Sequence, residues 1–591
     1  MPNSESESVA FDSPEQASLG QLTDEVEAHI QRLTVLDLES VCIRRAIREL
    51  NTRRNRFVLI SRLPAEVLAM VFMAYVADHW KAYTSPRAKD ELWTPPYQWL
   101  AILHVNQDWR RAAVTTKALW TTFVPTRPAC VKFMLEHAGQ LPLQIRLGSP
   151  PDYFLVPLAE EANCMVLAEL GRMRIAQLRV TQGVYKHLAA MEEEGLGTRE
   201  LMVQELLLDV VVEDAESLPL LSVARMPQLT TLKVYWGLPA LVISLNFPTL
   251  TSLHWLTPYE LLLDDLRSTL SHFSLLQHLH LDLSLSFYVG FDNITIELPR
   301  LRTLSIEGAP RQVALLFRSL IFPQDTSVRL IFTDDGFQDW EIPHTVAWVA
   351  EKIARMRETT SDAAMAAFCP RSILLDTDPL FVQLSAETSN STVAEVWDKP
   401  RFCLSIENND LDEEAIANFM TCFFKPLNLS DVVDMRIGLE LSTVTWSQFL
   451  QAQRIPNLEN LRLTGLPVTE AFLGALTTPL PPSADHPNNS PSPCLFPKLK
   501  RLDMMSLDLH IHPDHPSEHD FMPRLETMLK RRLDLAAPLE KLFFINCNHV
   551  NDEDLEILND LLLHPELHDS SDGRSRCSHD EHSDAVAGPD A

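Results

Sequence analysis

The sequence predicts an α+β chain, in which an N-terminal helix and a small all-α domain precede an α/β array of stacked strand repeats. Three observations carry this. Apolar residues from Leu22 to Leu50 fall on alternating steps of three and four, the period of a helix with one apolar seam. A second set, Leu63, Val67, Leu68, Val71, Phe72 and Tyr75, again has helical spacing. Beyond these, a nine-residue theme ending in alternating apolar residues recurs along the chain, as in short strands with one buried side.

At 591 residues the chain exceeds what one compact core accommodates. Hydrophobic residues make up 46%, enough to fold, while 16 glycines against 40 prolines disfavour chemistry built on glycine-rich phosphate loops. A formal charge of −30 excludes a surface broadly complementary to nucleic-acid phosphates. The nine cysteines are scattered with no C-x-x-C pair, the pattern of reduced thiols in a cytoplasmic or nuclear protein. The polar start MPNSESESVAFDSPEQ lacks a signal-peptide apolar core, and no run approaches the ~18 apolar residues of a membrane span.

Residues 1–18 are Ser/Glu/Pro-rich and expected to be disordered. Over 19–58, Leu22, Val26, Leu33, Leu36, Ile43, Ile47 and Leu50 occupy heptad seam positions, with His29 and Ser40 at the other two. Two readings stay open: a short coiled coil that dimerises the chain, or a helix packed on the next domain. The run Arg44, Arg45, Arg48, Arg53, Arg54 and Arg56 reads as a solvated cationic helix end opposing the dipole.

Residues 59–125 follow as a helical domain. Ser61 is placed to cap, Pro64 suits a first turn, and Glu66 sets negative charge near the helix start. A polar, proline-containing stretch from Asp78 to Pro96 is expected to be a loop. Helical spacing resumes with Trp99, Leu100, Leu103, Val105 and Trp109, and a further turn leads to Leu119, Trp120 and Phe123.

Leu63-Pro64-x-Glu66-Val67-Leu68-x-x-Val71-Phe72, then Leu103-His104-Val105-Asn106-Gln107-Asp108-Trp109-Arg110, then Leu119-Trp120, together resemble an F-box of the F-box-like variety abundant in fungi. The resemblance runs from Ile60 to Leu147. Asn106 stands where cysteine is common, and the Asp78–Pro96 insertion exceeds a minimal linker. The resemblance implies a subunit docked on a Skp-type adaptor and, through it, a cullin. By the same pattern it assigns adaptor contacts to Leu63, Pro64, Leu68, Val71, Phe72, Val105, Trp109 and Trp120. Some of these must form the domain's own core, and the sequence does not divide the two groups.

From 126 to 563 the chain repeats apolar-P-x-L-x-x-L-x-apolar. Copies begin at Met226, Phe247, Phe273, Leu298, Ile455 and Phe496, the Phe273 copy without the proline; the first four advance by 21, 26 and 25 residues. That is the period of a leucine-rich repeat, and such units stack because each leaves an apolar edge for its neighbour. Incomplete units are expected at Leu178-Arg179-Val180, Glu205–Leu208, Arg436–Leu439 and Leu539–Phe544. Residues 310–430 keep the theme poorly, so larger crossovers or insertions in a continuing solenoid are expected there. A surface loop is expected at 479–493, and a disordered acidic tail over 564–591.

No P-loop, G-x-S-x-G, H-E-x-x-H or kinase pattern occurs. Four histidines and three carboxylates between His510 and His519/Asp520 have zinc-ligating chemistry, but two prolines stiffen the segment and a polar loop is the preferred reading. Cys164, Cys403, Cys422 and Cys547 lie mostly among apolar residues, as structural thiols do. The expectation is therefore a non-catalytic receptor without cofactor or metal. Its repeat strands would present Lys233, His254, His280, Ser305, Arg462 and Asp503 outward to a substrate protein. The alternative is an interaction scaffold with no role in ubiquitylation.

Overall fold

The computed structural model describes residues 27–28, 31–32, 40–47, 49–50, 63–83, 96–146, 156–193, 200–212, 226–235, 247–256, 263–283, 295–323, 325–333, 341–355, 370–377, 380–385, 402–406, 412–453, 455–477, 495–507, 521–547, 552–562 and 566–569. The segment 1–18, much of 19–58, the loop 479–493, the His510–His519 cluster and the tail apart from 566–569 lie outside them. The chain divides into two compact units, Met1–Met173 and Arg174–Ala591.

In the first unit, α1 (Ala65–Tyr83) buries Leu68, Phe72, Val76 and Trp80, one residue per turn along one side. The helix runs through the first residues of the stretch expected to be a loop. No proline intervenes before Pro86, and Trp80 continues the buried side. A 3-10 segment (Gln98–His104) leads to α2 (Gln107–Thr115), and a second 3-10 turn (Lys117–Trp120) to β1 (Thr122–Phe123). Helix α3 (Pro128–Ala138) opens on proline, and β2 (Leu143–Ile145) pairs in parallel with β1. Helix α4 (Val156–Leu167) follows. The unit extends past residue 125 because Trp120 is wrapped by Trp99, Phe133 and His137 at 5.2–5.4 Å between ring centres.

In the second unit, β3 (Met173–Val180), β4 (Glu205–Val210), β5 (Thr231–Tyr235), β6 (Ser252–Leu256) and β7 (His278–Leu283) pair in parallel, each with the next. Ile296–Glu297 (β8) pairs with Leu320–Ile321 (β10), while β9 (Thr303–Gly308) joins β7 to β11 (Ser327–Phe332). The strand entrance explains the repeated proline. In copy after copy the carbonyl of the leading apolar residue accepts from the leucine N–H three positions on: Met226 from Leu229 at 3.1 Å, Phe247 from Leu250 at 3.0 Å, Leu298 from Leu301 at 3.2 Å. Proline thus sits at the second position of a β-turn, where its fixed φ is favourable. The next two amides donate to the preceding repeat, as Thr230 and Thr231 do to the Gln204 carbonyl.

Inward residues align in register. One row reads Ala176, Leu206, Leu232, Leu253, Leu279, Leu304 and Val328, all buried. Within 310–430, where larger crossovers or insertions in a continuing solenoid are expected, the strand order reverses. Strands β12 (Ser372–Thr377), β13 (Leu380–Ser385) and β14 (Phe402–Ile406) enter in reverse order. β14 pairs in parallel with β11, β13 runs antiparallel between β14 and β12, and β12 pairs in parallel with β15 (Asp434–Ile437). Every residue of β14 is buried, which its near-continuous apolar sequence permits and L-x-h alternation would not. The row nevertheless continues unbroken through Phe402, Leu384, Ile373 and Met435. It passes on through β16 (Asn460–Thr464), β17 (Arg501–Met505), β18 (Lys541–Ile545) and β19 (Glu566–Asp569) at Leu461, Leu502, Leu542 and Leu567.

Helices fill the connections: α5 (Gln182–Glu193), α6 (Leu263–Ser271), α7 (Pro310–Ser319), α8 (Glu341–Arg355), α9 (Glu413–Phe424), α10 (Thr443–Ala452), α11 (Leu466–Thr477), α12 (Phe521–Asp534) and α13 (Asp552–Asn559). From α7 to α13 each packs on the next. An aromatic chain runs through this layer from Phe317 to Phe402, Phe423, Phe424, Phe449, Trp446, Phe472 and Phe496, with centres 5.0–6.4 Å apart. The second unit is therefore an α/β assembly built on a long, mainly parallel sheet.

Candidate interaction surfaces

Helix α1 is apolar on two opposite sides. Its buried side meets α2 through Phe72 and Trp109, whose rings stand 5.0 Å apart. On the other side Val67, Met70, Val71 and Ala74 occupy i, i+3, i+4 and i+7, and all four are exposed, Met70 at 72%. A contiguous exposed apolar stripe of this kind marks a candidate interaction face. The structure thus divides the residues that the sequence left together. Leu68, Phe72 and Trp120 are buried in the unit's own core, Trp109 is half-buried, and Leu63, Pro64, Val71 and Val105 are exposed. Val67 and Met70 were missed as contact candidates; their spacing with Val71 is the signal that finds them.

The core beneath this face is fixed by directed bonds. The buried Trp120 indole N–H donates to the Ala113 carbonyl at 3.0 Å, and at the surface the Arg110 Nε donates to the Leu103 carbonyl at 2.9 Å. Asn106 caps α2: its Oδ1 accepts from the Trp109 N–H at 2.7 Å. Asparagine is among the best residues for that role, and the cap fixes the first turn of α2, which carries Trp109. At the C-terminal end of the buried side of α1, Val76, Trp80 and Leu119 line a cleft of about 400 Å³ edged by Lys81, Gln144 and Arg146.

The outward face of the sheet is polar at its start. Lys233, His254, His280 and Ser305 lie in one register row and are half-exposed. The His254 and His280 rings are 3.9 Å apart, and burial lowers both pKa values; His254, with His280 and Lys233 adding to burial, falls to about 3. Both imidazoles are therefore neutral near pH 7.

Farther along, Arg462 and Asp503 prove not to be free contact residues. Asp503 is buried and accepts from Arg462 Nη2 at 2.9 Å and from Arg501 Nε at 2.6 Å. The Arg501 guanidinium also lies 4.3 Å from the Phe543 ring centre, a favourable cation–π distance. Sequence period 2 places Asp503 outward correctly but says nothing of what covers it.

Among the thiols, burial pushes Cys403 up to about 11 and raises Cys130 and Cys164. Each shift lowers the thiolate fraction. Lys352, lowered to about 8 by burial and by Arg318, donates to the Arg318 carbonyl at 3.0 Å and to the Leu320 carbonyl, closing the C-terminal end of α7. No helix among the described residues is long and apolar enough to cross a membrane.

No protein-family profile matches the chain, and no curated protein matches it. Among solved structures, an internalin (inlF) from Listeria monocytogenes str. 4b F2365 is similar over 67% of this chain and 85% of its own, at 14% identity and a TM-score of 0.20.

Proposed function

We propose that the chain is the substrate receptor of an SCF-type (Skp-cullin-F-box) ubiquitin ligase. Its first unit would be an F-box-like domain docked on a Skp-type adaptor, and its second a leucine-rich-repeat solenoid that holds a substrate protein. The exposed apolar side of α1, opposite a complete core, is the observation that carries the reading. Leu63, Pro64, Val67, Met70, Val71 and Val105 are the residues available for contact, while Leu68, Phe72 and Trp120 shape the helix pair beneath. A helix laid against a groove depends on a few apolar anchors of this kind. The repeated turn-and-strand template, with leucines in register, supports the solenoid reading of the second unit.

The receptor itself would carry out no covalent chemistry. Holding substrate on the same scaffold as a charged conjugating enzyme raises the local concentration of a substrate lysine, and proximity alone accelerates transfer. The N-terminal helix supports a dimer, because Ile43, Ile47 and Leu50 are exposed along one side of a helical stretch.

Co-expression with a Skp-type adaptor tests the proposal. The full chain should co-purify with the adaptor, and Leu63→Ala with Pro64→Ala should weaken the complex. A wild-type chain that ignores the adaptor at micromolar concentration would leave an interaction scaffold without ubiquitylation as the reading.

A further inference from the structure

Across five neighbouring strands, β5, β6, β7, β9 and β11, one outward row reads Lys233, His254, His280, Ser305 and Arg329. Neighbouring strands are ~4.8 Å apart, so Lys233 and Arg329, four steps from each other, stand ~19 Å apart. Between them lie the two imidazoles, and Tyr235 packs edge-on against His254 with centres 5.1 Å apart. Toward the strand starts the neighbouring row is Thr231, Ser252, His278, Thr303 and Ser327, with His278 Nδ1 2.8 Å from the Thr303 hydroxyl. Toward the strand ends it is Tyr235, Leu256, Asp282, Glu307 and Ile331. On the β4 side Asp209 is held by Arg179 at 2.7 Å.

The charged groups facing the imidazoles are thus Lys233 and Arg329 in their own row and Asp282 and Glu307 beside it. Among the described residues neither Lys233 nor Arg329 has an ion-pair partner. Positive side chains at both ends of a row, neither of them ion-paired among the described residues, are conspicuous in a chain of formal charge −30. The hydroxyl row on one side supplies further donors, and neutral imidazoles supply N–H groups.

We infer that this row binds an extended acidic segment of a partner protein, one carboxylate meeting Lys233 and a second meeting Arg329. At ~3.3 Å per residue the two acids would be about six positions apart. Two single cations ~19 Å from each other match two separate carboxylates, whereas a phosphate is gripped best by converging guanidinium groups. The inference rests on the reading of this sheet face as a partner surface.

The test uses the full chain and a fluorescent peptide of about twelve residues, Ser, Asn and Gly except for two glutamates six positions apart. Anisotropy should show saturable binding that weakens as salt rises. Replacing both glutamates by glutamine should reduce affinity about tenfold or more, as should Lys233→Glu or Arg329→Glu. Arg302→Glu, exposed and off the row, should bind like wild type. Failure of the glutamate peptide to bind, equal binding of the glutamine peptide, or indifference to both charge reversals overturns the inference. So does binding only of a phosphoserine version. Adaptor binding measured on the same preparations separates the two proposals. Peptide failure with the adaptor retained sinks only this one, and adaptor failure with the peptide retained sinks only the ligase role.

Discussion

Replacing Asp503 by alanine removes the carboxylate on which two guanidinium groups converge. Arg501 keeps a third of its side chain in solvent and can turn outward, but Arg462 is only 12% exposed and has no comparable escape. Arg436, in register on the neighbouring strand, sharpens the penalty: burial and then Arg462 already lower its pKa, so it too would face an unneutralised neighbour. Stripping one partner from a buried pair costs about 3–5 kcal/mol. The partial exposure of Arg501 places Asp503→Ala near the lower end, about 3 kcal/mol. In a unit of this size that corresponds to a fall in Tm of about 3 °C. Thermal unfolding by circular dichroism reads the fall, and hydrogen exchange at the amides of β16 and β17 locates it. Arg462→Met combined with Asp503→Leu, which removes both buried charges, should recover most of the loss. A single variant that melts within about 1 °C of wild type, or a double variant no better than the single, would refute this reasoning.

Three further outcomes follow from the same physics. Asn106→Ala should destabilise the first unit by about 1 kcal/mol, and Asn106→Asp should hold it, since either oxygen caps α2; urea unfolding followed by tryptophan fluorescence decides. His254 has a folded pKa near 3 against an ordinary value of 6.5, so the unfolded chain binds the extra proton. Its contribution is fully present above about pH 6.5 and is lost as pH falls toward 3; His254→Asn should therefore lose less stability than wild type over that window. Light scattering should give a dimer for the full chain and a monomer for Ile43→Glu with Ile47→Glu.

The repeat strands were legible because their signal is local. The template beginning at Met226 contains its turn, its proline and its two inward residues, and β5 starts where that spacing puts it. Reversal of β12 to β14 was not legible, because L-x-h specifies which side a residue faces and leaves open which strand lies beside it. Similarly, Arg462 and Asp503 are 41 positions apart, and only the register of β16 on β17 brings them together. In α1 the difficulty was the opposite one. Apolar residues on both sides gave abundant helical signal, and only packing against Trp109 shows that Phe72 points inward while Met70 does not. Asn106 departs from the F-box-like pattern that the sequence resembles, yet an asparagine just ahead of a helical run is itself a capping signal.

The most direct test is the affinity of the full chain for a Skp-type adaptor, compared with Met70→Glu and Val71→Glu together. Burying a whole side chain of this size contributes about 1.5–3 kcal/mol. The exposed shares of Met70 and Val71, 72% and 42%, then amount to about 2–3 kcal/mol jointly, or roughly 30- to 200-fold in Kd. Both residues are on the surface, so folding stability should change by less than about 0.5 kcal/mol for each. Micromolar or tighter binding by wild type, lost by this factor in a variant that melts normally, is the predicted result. Binding that is absent, or that tolerates both glutamates, would contradict the account.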